Sequence, residues 1–289
     1  DRSPSRGLGD VYKRQVLSKQ AIEEFHKKGY HLPLQAVSRE AAVEMRGQLE
    51  AYEKSAGGVL HGARRYKSHL LFKWLSDLIR TPTILDAVED LIGPDILVWS
   101  TDWWIKEAHS PQFVSWHQDS QYWGLDTSKL VTVWVALSPS TRDTGCMRVL
   151  PGSHKGPDLE HVETYHDDNM LTRGQAILNI DETQSVNLEV DTGQAAIFAF
   201  RIAHASHANS SEDRRIGLAI RYIPPDARQT RSDHDSVALV RGSNIHGFFE
   251  VEPEPQHDFD PVAVAFHEAA AEERRKILYH GTGLSTHRT

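Results

Sequence analysis

Two periodicities divide the chain near Pro94: apolar positions recur at helical spacing before it and at strand spacing after it. From Leu17, Ser18 fits an N-cap, Ile22 and Phe25 share one helical face, and Gly29 offers a stop. A second helix is predicted from Ser38 to about Lys54. Leu70 to Leu78 and Ile84 to Leu91 read as two more, the latter starting after Thr81-Pro82 and closing at Gly93-Pro94. Beyond Pro94, Ile96 to Ile105 is rich in Val, Trp and Ile. In the next run Val131, Val133, Val135 and Leu137 alternate with Thr132, Trp134 and Ala136. Ala195 to Ala203, opened by the turn Asp191 to Gly193, and Ile216 to Ile223 repeat the strand pattern. Strands at these intervals without interleaved helices predict an antiparallel barrel or sandwich. A closing helix runs from about Pro261 to Tyr279, ended by Gly281. No repeat or low-complexity linker interrupts the pattern, so a single domain from residue 16 to 289 is expected, a mainly β core with helical cover. Residues 1–15 lack apolar periodicity and read as a disordered or non-native extension.

Composition narrows the function. With 39% hydrophobic and 25% charged residues the chain is an ordinary globular one. No run approaches the roughly 20 apolar residues of a membrane span, so a cytoplasmic protein with no membrane partner is expected. A net charge of -8 repels phosphate backbones and argues against nucleic acid. Cys146 is the only cysteine, which excludes an internal disulfide and a thiolate zinc site. What remains is a small-molecule substrate, with a homo-oligomer as a possible assembly.

The chain holds 17 histidines, so placement must single out any with a chemical role. In Ser115-Trp116-His117-Gln118-Asp119 an imidazole and a carboxylate stand two residues apart, and on a strand they face the same side. Alone, this pair equally describes an exposed strand end. A third element lies downstream, where the apolar run from Ala195 leads into His204-Ala-Ser206-His207, with His207 as an alternative to His204. Two histidines and a carboxylate leave one face of an octahedral iron(II) open, as O2 activation needs; a zinc site for hydrolysis uses similar ligands. In Arg215-Ile-Gly217-Leu-Ala219-Ile-Arg221 the odd positions share a strand face. Two small residues there leave space for a ligand whose carboxylate an arginine fork could grip; a solvated charged face is the plainer reading.

His117-Gln-Asp119, then Gly145-Cys-Met-Arg-Val-Leu-Pro151-Gly152-Ser-His154-Lys-Gly156, then His204-x-Ser206-x-x-Asn209, then Arg215, resemble in that order the phytanoyl-CoA dioxygenase family. The resemblance implies a double-stranded β-helix, a jelly-roll, cupin-like core. It also implies iron(II), 2-oxoglutarate as co-substrate, O2, and release of succinate and CO2. Carried over by position, His117, Asp119 and His204 are metal ligands and Arg215 clamps the distal carboxylate of 2-oxoglutarate. Ser206 assists it, and Gln118 and Trp134 line the cofactor pocket. Halogenating relatives lack the carboxylate that Asp119 supplies, so hydroxylation of a small polar or zwitterionic metabolite is favoured. A cupin-like isomerase or ligand sensor is the other alternative, and it would not need Arg215.

Three further features are expected to be structural. His267-Glu268 lacks the second histidine of a metalloprotease helix, because position 271 is Ala271. His154 sits in a turn, and Cys146 reads as a small buried residue. Trp103, Trp104, Trp116, Tyr122 and Trp123 are read mostly as core, with any two that face a cavity able to hold a cationic group.

Overall fold

The structure, a computed structural model, describes residues 15–280. The expected extension at 1–15, apart from Gln15, and Gly281 lie outside the described residues. In chain order the elements are α1 (Lys19–Lys28), β1 (Tyr30–Gln35), α2 (Arg39–Ala56), α3 (Lys73–Leu78), α4 (Pro82–Ile92), β2 (Ile96–Lys106), β3 (Val114–His117) and α5 (Ser120–Trp123). They continue with β4 (Val131–Ala136), β5 (Met147–Val149), β6 (His161–Glu163), β7 (Gln175–Ile177), β8 (Val186–Leu188), β9 (Gln194–Ala199), β10 (His204–Ser206) and β11 (Arg215–Ile223). The last are β12 (Ser236–Arg241), β13 (Glu250–Val251) and α6 (Pro261–Leu278).

The helix signals read from sequence act as expected. Ser18 and Ser38 each accept a hydrogen bond from the backbone N–H three residues on, and Gly29 closes α1 in the left-handed region at φ 87°. The helix expected over Leu70 to Leu78 is instead a 3-10 turn at Ser68–Leu70, then α3. Phe72 between them is extended, and it packs against Tyr52 and Phe259 with ring centroids 5.0 and 5.2 Å away. Across the break Leu70, Leu71 and Phe72, three consecutive residues, are all buried, a wider face than the one-sided stripe of an amphipathic helix covers.

A seven-stranded sheet, ordered β1-β9-β4-β11-β2-β12-β13, faces a four-stranded sheet, ordered β3-β10-β5-β8. The pairs within them, except parallel β12–β13, are antiparallel. Trp134, Ala136, Ala196, Phe198 and Ala219 of the large sheet meet Met147, Val149 and Leu188 of the small one in a shared interior. This is the jelly-roll arrangement of a mainly β protein with helical cover. The opposite face of the large sheet, including Val131, Val133 and Val135, packs under Leu49, Leu75, Leu78, Ile84 and Val88 of the helices. The alternation in β4 therefore separates two buried faces rather than a buried and a wet one. Among the described residues no helix is long and apolar enough to cross a membrane.

The strand expected from Ala195 to Ala203 ends at Ala199. A turn in which the Ile202 N–H donates to the Ala199 carbonyl then carries the chain across to the small sheet as β10. His204 is thus not at the end of the apolar strand but on a new one, in the opposite wall.

Candidate metal centre and cofactor pocket

β3 and β10 are antiparallel neighbours, and their register pairs His117 directly with His204. Asp119 follows β3 at the start of α5, two residues past His117. The two imidazole centroids are 4.0 Å apart, and Asp119 lies 3.5 Å from His117 Nε2 and 4.0 Å from His204 Nε2. One donor atom from each of the three fits within 4.8 Å of the others, and all three residues are buried. Each histidine has Nδ1 against a backbone carbonyl two residues back, Ser115 at 2.9 Å and Ile202 at 3.0 Å. Assigning the proton to Nδ1 on that basis leaves both Nε2 lone pairs aimed at the shared space, the usual outer support of a metal-binding imidazole. Burial and the nearby His117 push His204 down to about 4, so it offers a lone pair rather than a charge at neutral pH. Burial alone would raise Asp119, but His117 and His204 prevail and hold it below the usual carboxylate range.

The donor set fits a divalent ion that takes nitrogen and oxygen ligands and keeps open positions. His207, the alternative third ligand, points elsewhere, since Arg148 Nη1 donates to its Nε2.

β11 and β2 form the inner wall behind the cluster. In register, Arg215 pairs with Lys106, Gly217 with Trp104, Ala219 with Asp102 and Arg221 with Ser100. Arg215 is buried, donates to the Gly145 carbonyl and lies over the Trp134 ring at 5.3 Å. Its Nε has no partner. Ser206 shares the chamber with Arg215, Trp134 and the cluster of His117, Asp119 and His204. Sequence reasoning missed Lys106, which is fully buried, donates to Ser206 Oγ at 2.8 Å and also reaches the His207 carbonyl. Burial, then the facing Arg215, drives its ammonium down to about 6. Among the described residues neither cation has a carboxylate within ion-pair reach.

Three expectations need correction. Gln118 does not line the chamber: its amide nitrogen donates to the Arg201 carbonyl at 2.7 Å and its oxygen accepts from the Leu159 N–H at 2.7 Å. Between two residues that face inward, it must face outward. Gly217 leaves no room for a ligand, because a Cβ there would overlap the Trp134 ring. The aromatic cluster is not a free cation box. Trp103 is core, Arg148 covers Trp116 at 5.3 Å, and Arg221 covers Trp123 at 4.3 Å. His154, His267 and Cys146 are structural as expected: each histidine bonds a backbone carbonyl, and Cys146 is buried.

A second cavity of about 780 Å³ opens beside the cluster, and His117, Asp119, Trp104 and Arg221 border both spaces.

The phytanoyl-CoA dioxygenase (PhyH) family profile matches residues 6–217. The solved structure of a non-haem monooxygenase, ThoJ in apo form, is 35% identical with a TM-score of 0.80, covering 89% of this chain and 97% of its own. The ThoJ–Ni complex is 34% identical, with a TM-score of 0.73 and the same coverage. A probable alpha-ketoglutarate-dependent hypophosphite dioxygenase of Stutzerimonas stutzeri is 29% identical over 179 residues, 61% of this chain and 62% of that protein. The chain thus spans less than two thirds of the length of this curated relative.

Proposed function

The chain belongs to the phytanoyl-CoA dioxygenase family, and from that premise we propose an iron(II)- and 2-oxoglutarate-dependent dioxygenase that hydroxylates a C–H bond of a small polar or zwitterionic metabolite. We assign the catalytic domain to residues 16–289 and the iron to His117, Asp119 and His204. The observation that carries the reading is that cluster: three buried donors from β3, α5 and β10, opening on two spaces at once. Bound iron with 2-oxoglutarate and O2 would supply the oxidant, with release of succinate and CO2.

This chain's own residues do the rest. The carbonyls of Ser115 and Ile202 fix the tautomer and tilt of the two imidazoles. Arg215 offers a fork to the distal carboxylate of 2-oxoglutarate, and its unpartnered Nε marks unused capacity. Lys106 holds Ser206 beside it. Together, the Arg215 guanidinium and a Lys106 amine that burial keeps short of its proton, with no carboxylate among the described residues in ion-pair reach, form a site that an incoming dianion relieves by drawing the proton back onto Lys106. Trp134, fitted over Gly217, walls the chamber and keeps water from the reacting face. Asp119 keeps an anionic oxygen where a halogenating relative would leave a gap, which favours hydroxylation over halide transfer.

Succinate formation from 2-oxoglutarate under air, with iron(II) and ascorbate, tests the reading across a metabolite panel. Wild type should release succinate, and Arg215→Ala should lose about 2–3 kcal/mol of co-substrate binding, a rise of roughly 30- to 150-fold in its KM. Equal rates in the two proteins would remove the clamp, and no succinate from either across the panel would leave a metal-binding isomerase or sensor as the better account.

A further inference from the structure

The outer cavity carries an imbalance of charge that the metal chemistry does not use. On the inner face of β2, Asp102 is buried, and both its carboxylate oxygens are taken. Arg221 Nη1 donates to Oδ2, and Arg274 Nη2, from α6, lies 3.0 Å from Oδ1. Arg65 stands nearby, with Nη2 donating to the Trp103 carbonyl at 2.6 Å, and among the described residues no carboxylate lies within ion-pair reach of it. Asp102 and Arg274 are close enough to act electrostatically on Arg65, the first favouring its charge and the second opposing it, while burial depresses it most. Two guanidiniums therefore pair with one carboxylate, and a third stands beside them without one among the described residues. Arg221 also has a buried Nε without a partner, and it borders both the outer cavity and the metal chamber. The other acids on the cavity wall do not restore the balance. Asp119 belongs to the metal cluster, Glu272 pairs with Arg275, and Glu268 is exposed at the rim, where water screens it. Arg173 is paired with Glu163.

Burying excess positive charge in a protein is costly unless something neutralises it. Here the excess faces a cavity rather than a packed core, and Tyr66, Trp104, Tyr122 and Trp123 supply an apolar wall beside it. Arg274 and Arg221 already lie over the Tyr66 and Trp123 rings at 4.2 and 4.3 Å, which holds their planes in place.

We propose that the outer cavity takes the primary substrate by an anionic end, a carboxylate or phosphate-type group, gripped by Arg65 and Arg274 at Asp102. The rest of the substrate then lies along Trp104 and Tyr122 toward the metal cluster. This rests on the oxygenase reading for what happens at the cluster, but the anion site stands on its own geometry. Guanidinium forks suit planar or tetrahedral oxyanions because two parallel hydrogen bonds fix both position and orientation. Asp102 acts as a positioning residue: it braces Arg221 and Arg274, linking the far end of the substrate to the wall of the metal chamber.

The test uses three matched probes on iron- and 2-oxoglutarate-loaded protein under nitrogen: 3-phenylpropionate, 3-phenylpropanamide and phenethyltrimethylammonium, with dissociation constants from calorimetry. Wild type should prefer the carboxylate over the amide by about tenfold or more, as a charge-assisted contact should. Arg274→Gln should erase that preference, and Arg274→Glu should reverse it toward the ammonium probe. Arg274 is a third exposed on a helix, so both variants should fold, and melting curves verify this. A wild type that binds the amide or the ammonium as tightly as the carboxylate, or binds none of the three, overturns the anion site. So does an Arg274→Glu protein that folds and keeps the wild-type order. Succinate release by wild type under air with the metabolite panel is scored separately: none across the panel overturns the oxygenase reading, while the probe order still decides the anion site.

Discussion

Lys106 and Arg215 form a register pair on adjacent strands with no acid between them, and this has a measurable consequence without any turnover. A lysine held near 6 when folded regains its ordinary value near 10.5 when unfolded. Between those values the unfolded chain binds the extra proton, so this group makes the folded state more stable as pH rises from about 6 toward 10.5. Lys106→Met, which keeps the stem and deletes the ammonium, should flatten that rise in denaturant midpoints measured across pH 6 to 9 without co-substrate. The same variant should weaken 2-oxoglutarate binding, since Ser206 loses the donor that orients it. A pH profile identical to wild type would mean that burial does not displace the Lys106 proton. The three residues of the buried cluster could be singled out because a His-x-Asp pair and a distant histidine fall in the ordered motifs of the family resemblance, where spacing alone was a weak signal. Lys106 had none: its inward aim follows only from the pairing of β2 with β11, which the chain does not spell out. Gln118 was misplaced because the family resemblance carried it over by position, whereas strand alternation sends it to the opposite side.

At the level of elements, a buried ionic device lies away from the chamber. Lys67 begins the 3-10 turn ahead of α3, and its ammonium donates to Glu252, just past β13, and to the carbonyl and hydroxyl of Ser236 at the start of β12. His69 Nε2 lies 2.7 Å from the other Glu252 oxygen, and its Nδ1 is 3.1 Å from Thr101 Oγ1. These contacts fasten the helical layer to the β12–β13 edge of the large sheet. Burial would raise Glu252, but Lys67 and then His69 outweigh it and hold it at about 2. Burial lowers His69 below its ordinary value, even though Glu252 opposes this. Both shifts have one sign. In each case the unfolded state takes up protons first, so stability contributed by the latch falls as pH drops below about 6.5 for His69 and below about 4.5 for Glu252. Glu252→Gln leaves Lys67 buried without its counter-charge and should cost about 3–5 kcal/mol in chemical denaturation. It should also remove most of the acid sensitivity between pH 5 and 3. A loss under 1 kcal/mol would show that the latch contributes little. This device was not legible beforehand because its members come from distant segments and none sits in a motif. The short strands were missed for a related reason. β5, β7, β8 and β10 have three residues each, too few for alternation to register, and His204 at the head of β10 was read as the end of the strand from Ala195. Long strands such as β2 and β11, and helices with serine caps, were readable because their signals are local and repeated.

Across the whole molecule, a metal at the proposed centre would tie β3, the start of α5 and β10 together, segments that the unfolded chain does not hold near one another. Such a ligand binds the folded state alone, so its free energy adds directly to stability: about 2.7 kcal/mol at a hundredfold excess over its dissociation constant. Unfolding entropy scales with length, and for a chain of 289 residues that gain corresponds to a rise in Tm of about 4–5 °C. Nickel(II), which does not start turnover, is the ion to use, with a chelator to reverse the effect. The rise should vanish in Asp119→Ala and His204→Ala, whose side chains lie within 4.0 Å of each other in the intact cluster. 2-Oxoglutarate should add a further increment only when the metal is present, because one end of it needs the open metal face and the other needs Arg215. If nickel stabilises Asp119→Ala as much as wild type, the ion binds elsewhere and the three-residue centre is wrong. If 2-oxoglutarate stabilises the metal-free protein just as well, the two cations of the inner wall hold it by themselves, and the metal face contributes nothing to its capture.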